Sequence, residues 1–261
     1  MDLISIILLG LVEGLTEFLP ISSTFHLLWT SRLLGLPNTE LVKLFTVVIQ
    51  AGAIFAVVLL YWKEVLTNGK LILKLIASFI PTAVMGLLMY DVIKNVFFES
   101  QMGTAIVFIV VGVIFLLVEY LISKKILVAN MDIQKLNYKQ AIIVGVFQSF
   151  AIIPGVSRAG AVLIGMMVLG FKRNESAKYS FMLSVPTIMA ASLFDFIEMR
   201  EIVFSHPENI WILGGGSVVA FLSALVGVQW LIKYLQSHSL VLFGWYRIVL
   251  GIILVLLTVF T

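Results

Sequence analysis

Glu13 and Glu17 stand four residues apart in an otherwise apolar stretch. On a helix that spacing puts both carboxylates on one face. Two like charges held together away from water repel, so either one of the pair is protonated or the pair faces Arg158, His26 or a cation. Just beyond lies the break Leu19-Pro20-Ile21, followed by the hydroxyls of Ser22, Ser23 and Thr24, with His26 three residues after Ser23. Hydroxyls at a helix start are ordinary caps. A histidine one turn from a serine and near an acidic pair also suits nucleophilic chemistry, with the imidazole taking the hydroxyl proton or giving a proton to a leaving group. A second break reads Ile153-Pro154-Gly155-Val156-Ser157-Arg158. A helix starting at Ser157 turns free N–H groups and the positive end of its dipole toward an anion. Arg158 beside it offers a forked donor set suited to phosphate oxygens. Together these residue types describe phosphate binding and phosphoryl chemistry.

The elements that position them belong to a membrane protein. The chain has 261 residues, of which 61% are hydrophobic and 12% charged. Soluble domains run at roughly 45–50% and 25%, so a chain this poor in charge does not cover itself with a wettable surface. The composition excludes a disordered chain, a disulfide scaffold (there is no cysteine) and a nucleic-acid binder built on basic patches. No Lys or Arg precedes Arg32, so no cleavable signal peptide is expected. Runs of spanning length occur near 42–61, 75–90, 102–122, 177–196, 210–232 and 240–260, with Pro81 and Pro186 inside two of them.

The connecting charges predict topology. Stretches 61–74, 123–139 and 172–178, and Lys233, are basic, whereas 91–99 (Asp91 and Glu99 against Lys94) and 195–208 are acidic. The positive-inside rule makes the basic loops cytoplasmic and the acidic ones external. Residues 140–171 are apolar between two basic flanks, so this segment must enter the membrane and return on the same side. Its Pro154-Gly155 break gives a re-entrant helix-loop-helix, and residues 3–36 have the same form around Pro20. One hairpin then enters from outside and the other from inside, each ahead of three spanning helices. The expected fold is an all-α polytopic membrane protein of one domain, 1–261. It is an inverted repeat with halves about 1–122 and 140–261, each half a re-entrant helix-loop-helix followed by three transmembrane helices, with both termini external. Paired, Pro/Gly-interrupted segments in matching positions mark a site at mid-membrane depth.

Other candidates have plainer readings. His206 and His238 fall in loops and are expected to be solvated, and Trp62 and Trp211 sit at span ends as interfacial anchors. Arg247, early in the last helix, is expected to snorkel to the interface. There is no P-loop, no zinc-protease His-Glu pair and no Gly-x-Ser-x-Gly elbow. Small residues at four-residue spacing, such as Ala220 and Ala224, suit helix association or internal packing, leaving a homodimer open.

The segment Glu13-Gly14-Leu15-Thr16-Glu17-Phe18-Leu19-Pro20-Ile21-Ser22-Ser23-Thr24, with His26-Leu27, resembles the first signature of the undecaprenyl pyrophosphate phosphatase family of the bacitracin-resistance type. Pro154-Gly155-Val156-Ser157-Arg158 resembles its second. Smaller likenesses are Val48 to Ala53, Ile80-Pro81-Thr82, Gln148, Ser180 to Leu183 with Pro186, and Tyr246-Arg247. The resemblance implies an integral plasma-membrane phosphatase that removes the terminal phosphate of a C55-type polyprenyl diphosphate and so recycles the cell-wall lipid carrier, from a site open to the external face. By the same resemblance Glu13 and Glu17 form the acidic motif, Ser23 and His26 the reactive pair, and Ser157 and Arg158 the phosphate clamp. Ser22, Thr24, Gly155 and Gln148 are implied substrate contacts. The partners implied are the lipid substrate and the bilayer, with no nucleic acid. The attacking group, serine or water, stays open, and so does a Mg2+ or Ca2+ ion held by the acidic pair. Phe25 stands where the family usually has Gly, Ala159 where it has Ser and Val162 where it has Thr. The competing expectation is a transporter of a lipid phosphate or small anion with weak or no hydrolysis, since broken helices in inverted repeats are common in transporters.

Overall fold

The computed structural model describes residues 1–37, 39–89 and 101–260. The acidic stretch 91–99 lies outside the described residues. The helices are α1 (Leu3–Thr16), α2 (Ser23–Leu33), α3 (Glu40–Thr67), α4 (Gly69–Leu88), α5 (Gln101–Ser123), α6 (Tyr138–Ser149), α7 (Arg158–Val168), α8 (Arg173–Glu198), α9 (Arg200–Ser205), α10 (Pro207–Ser237) and α11 (Val241–Phe260). Among the described residues there is no β-strand, only one isolated bridge between Met131 and Phe171.

Six helices, α3, α4, α5, α8, α10 and α11, are long and apolar enough to cross a membrane, and they coincide with the six runs expected. Pro81 lies within α4 and Pro186 within α8. Large apolar side chains stand on the outside of these helices: Leu73, Ile76, Ile80, Val84, Leu87 and Leu88 of α4 are all exposed. Water would penalise so continuous a surface, and lipid solvates it. The two interrupted segments appear as short helix pairs, α1 and α2 of 14 and 11 residues and α6 and α7 of 12 and 11. Asp2 caps α1 by accepting from the Ser5 N–H at 2.7 Å. Asn137 and Gln140 cap α6 reciprocally, at 2.9 and 3.1 Å.

The chain divides into two compact units. The first holds Met1–Leu19, Ser23–Gly69 and Phe181–Trp230, and the second holds Pro20–Ser22, Lys70–Ser180 and Leu231–Thr261.

In the first unit α1 packs against both α2 and α3. Glycine lets α1 approach α10 at backbone distance: a Cβ on Gly10 would lie 2.9 Å from the Gly216 carbonyl oxygen, and one on Gly14 would overlap the Ala220 carbonyl and the Ser223 hydroxyl. The Ser223 hydroxyl donates to the Gly10 carbonyl at 3.2 Å across the same seam. Gly14→Ala is therefore expected to destabilise by about 1–3 kcal/mol through overpacking against backbone, read as a lower thermal midpoint of the purified protein. An unchanged midpoint would refute the tight seam. The acidic stretch 195–208, read from its charge as a loop, is instead largely helical. Its apolar Val203 is buried, and the Asn209 amide donates to the Ile202 carbonyl at 2.7 Å, closing the turn into α10. Charge sign reports the side of the membrane and not the local conformation.

In the second unit α5 packs along α11, with Gly112 and Gly244 facing each other, and α6 packs against α7. Gly145 of α6 lies against the backbone of Ser78 in α4. The Ser78 hydroxyl oxygen is 2.6 Å from both the Ala141 carbonyl oxygen and the Tyr179 Oη. Glu119, buried near the end of α5, accepts two hydrogen bonds from Arg173 and one from the Leu240 N–H at 2.8 Å. One carboxylate thus joins α5, the start of α8 and the turn before α11. Lys172 and Asp132, exposed next to the Met131–Phe171 bridge, pair at 2.7 Å, and the ammonium, hydrogen-bonding the carboxylate, holds Asp132 below the ordinary carboxylate range.

Candidate active site

In the first unit the site residues cluster where α1 ends and α2 begins. Glu13, in the last turn of α1, is fully buried, and Glu17 directly follows the helix, also buried. The Ser23 hydroxyl, at the first residue of α2, donates to Glu17 Oε2. The turn thus brings a carboxylate from before the break onto a hydroxyl after it, where local spacing had put His26 in that role. His26 lies one turn further along α2, half-buried, with its ring edge-on to Phe25 at 5.4 Å. Thr24 is exposed. Phe25 is itself buried, so the aromatic side chain packs into the unit.

The second unit carries the other break. Helix α6 ends at Ser149, a short 3-10 turn covers Phe150–Ile152, and α7 restarts at Arg158. Gly155 has φ +95°, and a Cβ there would sit 2.8 Å from the Thr104 carbonyl oxygen, so both conformation and space call for glycine. Ser157 caps α7, its hydroxyl accepting from the Gly160 N–H at 3.2 Å. Arg158 is half-buried and donates to the Ser180 carbonyl through Nη1 at 3.4 Å. Gln148, fully buried, donates to Thr82 Oγ1 at 2.8 Å, so its amide is engaged with α4. Ala159 and Val162 are buried in α7.

A backbone feature unites the breaks. Ser22 and Ser157, each immediately before the second helix of its pair, have φ of +66° and +72°. Serine rarely adopts this left-handed region, and such strain gathers at functional sites. Counting back from these serines gives matching positions. Two residues back are Pro20 and Gly155, nine back are Glu13 and Gln148, and twelve back are Gly10 and Gly145. Each of the last two meets a neighbouring helix backbone within its own unit.

Two residues gain a place that the sequence did not give them. Ser180 Oγ is buried and has no hydrogen-bond partner among the described residues, next to the carbonyl that Arg158 reaches. Arg247, expected to snorkel, is instead fully buried in the second unit. Its Nη1 donates to the Pro20 carbonyl at 3.0 Å, its Nη2 to the Gly155 carbonyl, and its Nε to the Phe108 carbonyl at 3.2 Å. The correction has a physical cause: interrupting a helix leaves carbonyls without their usual N–H partners, and a buried guanidinium supplies the missing donors. The resemblance had already singled out Tyr246-Arg247, which was the available signal.

The fold and the two loops define a multi-pass helical membrane protein with a buried acidic-hydroxyl pair at one helix break and a capped, arginine-led helix start at the other. The chain belongs to the bacitracin resistance protein BacA family, whose model matches residues 6–253. It is 44% identical to an undecaprenyl-diphosphatase of Persephonella marina, over 98% of this chain and 99% of that one. It is 43% identical to one of Sulfurihydrogenibium sp., over 97% and 98%. It is 39% identical to one of Aquifex aeolicus, over 95% of each chain.

Proposed function

We propose that this chain is an undecaprenyl-diphosphatase, hydrolysing the lipid diphosphate to the monophosphate and phosphate in the cell membrane. The hydrogen bond from the Ser23 hydroxyl to the buried Glu17 carboxylate carries the mechanistic reading. A nucleophilic oxygen, that of Ser23 or of a water in its place, attacks the terminal phosphorus. Its proton passes to Glu17, and the bridging P–O bond breaks to release the lipid monophosphate; where water attacks, phosphate is the other product, and where Ser23 attacks, a second water, giving its proton to Glu17, cleaves the Ser23 O–P bond to release phosphate and restore the hydroxyl. His26, one turn along α2 from Ser23, takes the role of protonating the leaving oxygen. Ser157, Arg158 and the free N–H groups that open α7 bind phosphate oxygens, and Ser22 and Gly155 shape the loops that present them. Thr24, exposed beside Ser23, stands as an outer contact of the same substrate, and Gln148, buried with its amide on Thr82, supports the second loop from behind instead of touching substrate.

Two carboxylates together with substrate phosphates match the way Mg2+ is usually held, so Glu13 and Glu17 fit a divalent ion that would neutralise charge on the diphosphate. The matching positions around the two breaks support an internal repeat, which we read as inverted with re-entrant hairpins because the connecting charges alternate in sign; a site opening externally follows from the family resemblance.

The test is phosphate release from undecaprenyl diphosphate by the purified chain in detergent, across divalent cations and pH. Turnover is expected. No release under any of these conditions would refute the enzyme reading and favour transport of a lipid phosphate.

A further inference from the structure

We propose that Arg247 is a positioning residue for this reaction, its guanidinium fixing the spacing of the two broken-helix loops by holding the matching carbonyls of Pro20 and Gly155. The inference rests on the phosphatase reading but adds a residue outside its acidic, hydroxyl and phosphate-binding groups. Four observations within the second unit carry it.

The first is register. Pro20 and Gly155 each lie two residues before a serine in the left-handed region, Ser22 and Ser157. Arg247 therefore grips the two loops at the same point relative to the residues that open the following helices. The second is chemistry. Three donors of one planar group reach three carbonyls, those of Pro20, Gly155 and Phe108. A lysine ammonium, a compact point donor, cannot reproduce that fork. The third is rigidity. The guanidinium carbon lies 4.2 Å from the Phe108 ring centroid and 5.7 Å from that of Phe115, which fixes its plane. The fourth is burial without a counter-charge. Arg247 is fully buried, and no carboxylate pairs with it among the described residues. A cation kept in that state is costly unless acceptors meet its donors, and two of the three carbonyls that meet them belong to the two loops. A residue needed only to fill the seam between α5 and α11 would carry none of this. Misplacement of a reacting group by about 1 Å can cost about 10²-fold in rate.

The experiment measures kcat and KM for phosphate release by Arg247→Lys, Ser157→Ala and the double variant, with thermal midpoints recorded for each. Arg247→Lys is expected to fold, to lose tenfold or more in kcat and to change KM less. In its background, Ser157→Ala is expected to cost less than a third of the factor it costs alone, because the loop it modifies is already displaced. A merely structural role predicts losses that multiply, and multiplication would overturn the proposal. So would Arg247→Lys turnover within twofold of wild type, which would leave charge alone as the requirement. If Arg247→Lys does not purify as a folded protein, Phe108→Leu takes its place. It keeps the arginine and removes the nearer of the two rings that fix its plane, and the same sub-multiplicative pattern is required. A wild-type chain that releases no phosphate refutes the phosphatase reading itself. An active wild type with multiplying losses refutes only the role of Arg247.

Discussion

Arg158→Ala is expected to lower kcat for phosphate release by roughly 10²–10³-fold while leaving a monodisperse protein of unchanged helix content. The separation between activity and stability follows from where the residue sits. Arg158 is the first residue of α7, and the cap of that helix is made by the Ser157 hydroxyl and not by the arginine. Alanine propagates a helix at least as well as arginine. The hydrogen bond from Arg158 Nη1 to the Ser180 carbonyl, at 3.4 Å, is long, and a net hydrogen bond of ordinary length contributes only about 0.5–1.5 kcal/mol. Helix α7 thus keeps both its cap and its propensity. The reaction loses a forked cation at the helix start where the proposed mechanism gathers negative charge as the P–O bond breaks. Arg158→Lys separates charge from geometry: it keeps the former and gives up the bidentate fit, so recovery of less than a tenth of wild-type kcat is expected. Near-normal turnover of the alanine variant would remove Arg158 from the phosphate clamp.

What the sequence disclosed and what it hid divide along one physical line. Hydropathy identified the six spanning helices because lipid demands about 20 apolar residues in succession, and that demand is local in the chain. The two breaks were legible for the same reason, since Pro20 and Pro154-Gly155 interrupt helices wherever they stand. Side-chain partners across a break were not legible. Ser23 read as the partner of His26 because a helix brings residues three apart together. The turn between α1 and α2 instead folds Glu17 onto the Ser23 hydroxyl. The left-handed backbone of Ser22 and Ser157 gave no sign, because the residue type that announces such a conformation is glycine. Arg247 was misread for a related cause. An arginine near a helix start suggests snorkelling, and only the folded chain shows that carbonyls from residues 20 and 155 converge on it.

The same contact between Glu17 and Ser23 sets the other large effect. Glu17→Gln is expected to lower kcat by roughly 10²–10⁴-fold, the range of a lost general base, without unfolding the protein. Glutamine matches the shape of the carboxylate, and its amide oxygen still accepts the hydrogen bond that the Ser23 hydroxyl gives to Glu17 Oε2. What it lacks is the capacity to take the proton. Because the two groups act on one proton, their losses are not independent. The variant carrying both Glu17→Gln and Ser23→Ala is expected to be no slower than the slower single variant. That result would hold whether Ser23 attacks the phosphorus or orients a water that does. The two cases part in single-turnover experiments: a serine nucleophile leaves a phosphorylated Ser23 that can be trapped by acid quench and mapped by mass spectrometry, and a water nucleophile leaves none. Losses that multiply in the double variant would mean that Glu17 serves the reaction somewhere other than at Ser23, and the hydrogen bond between them would then be a structural contact.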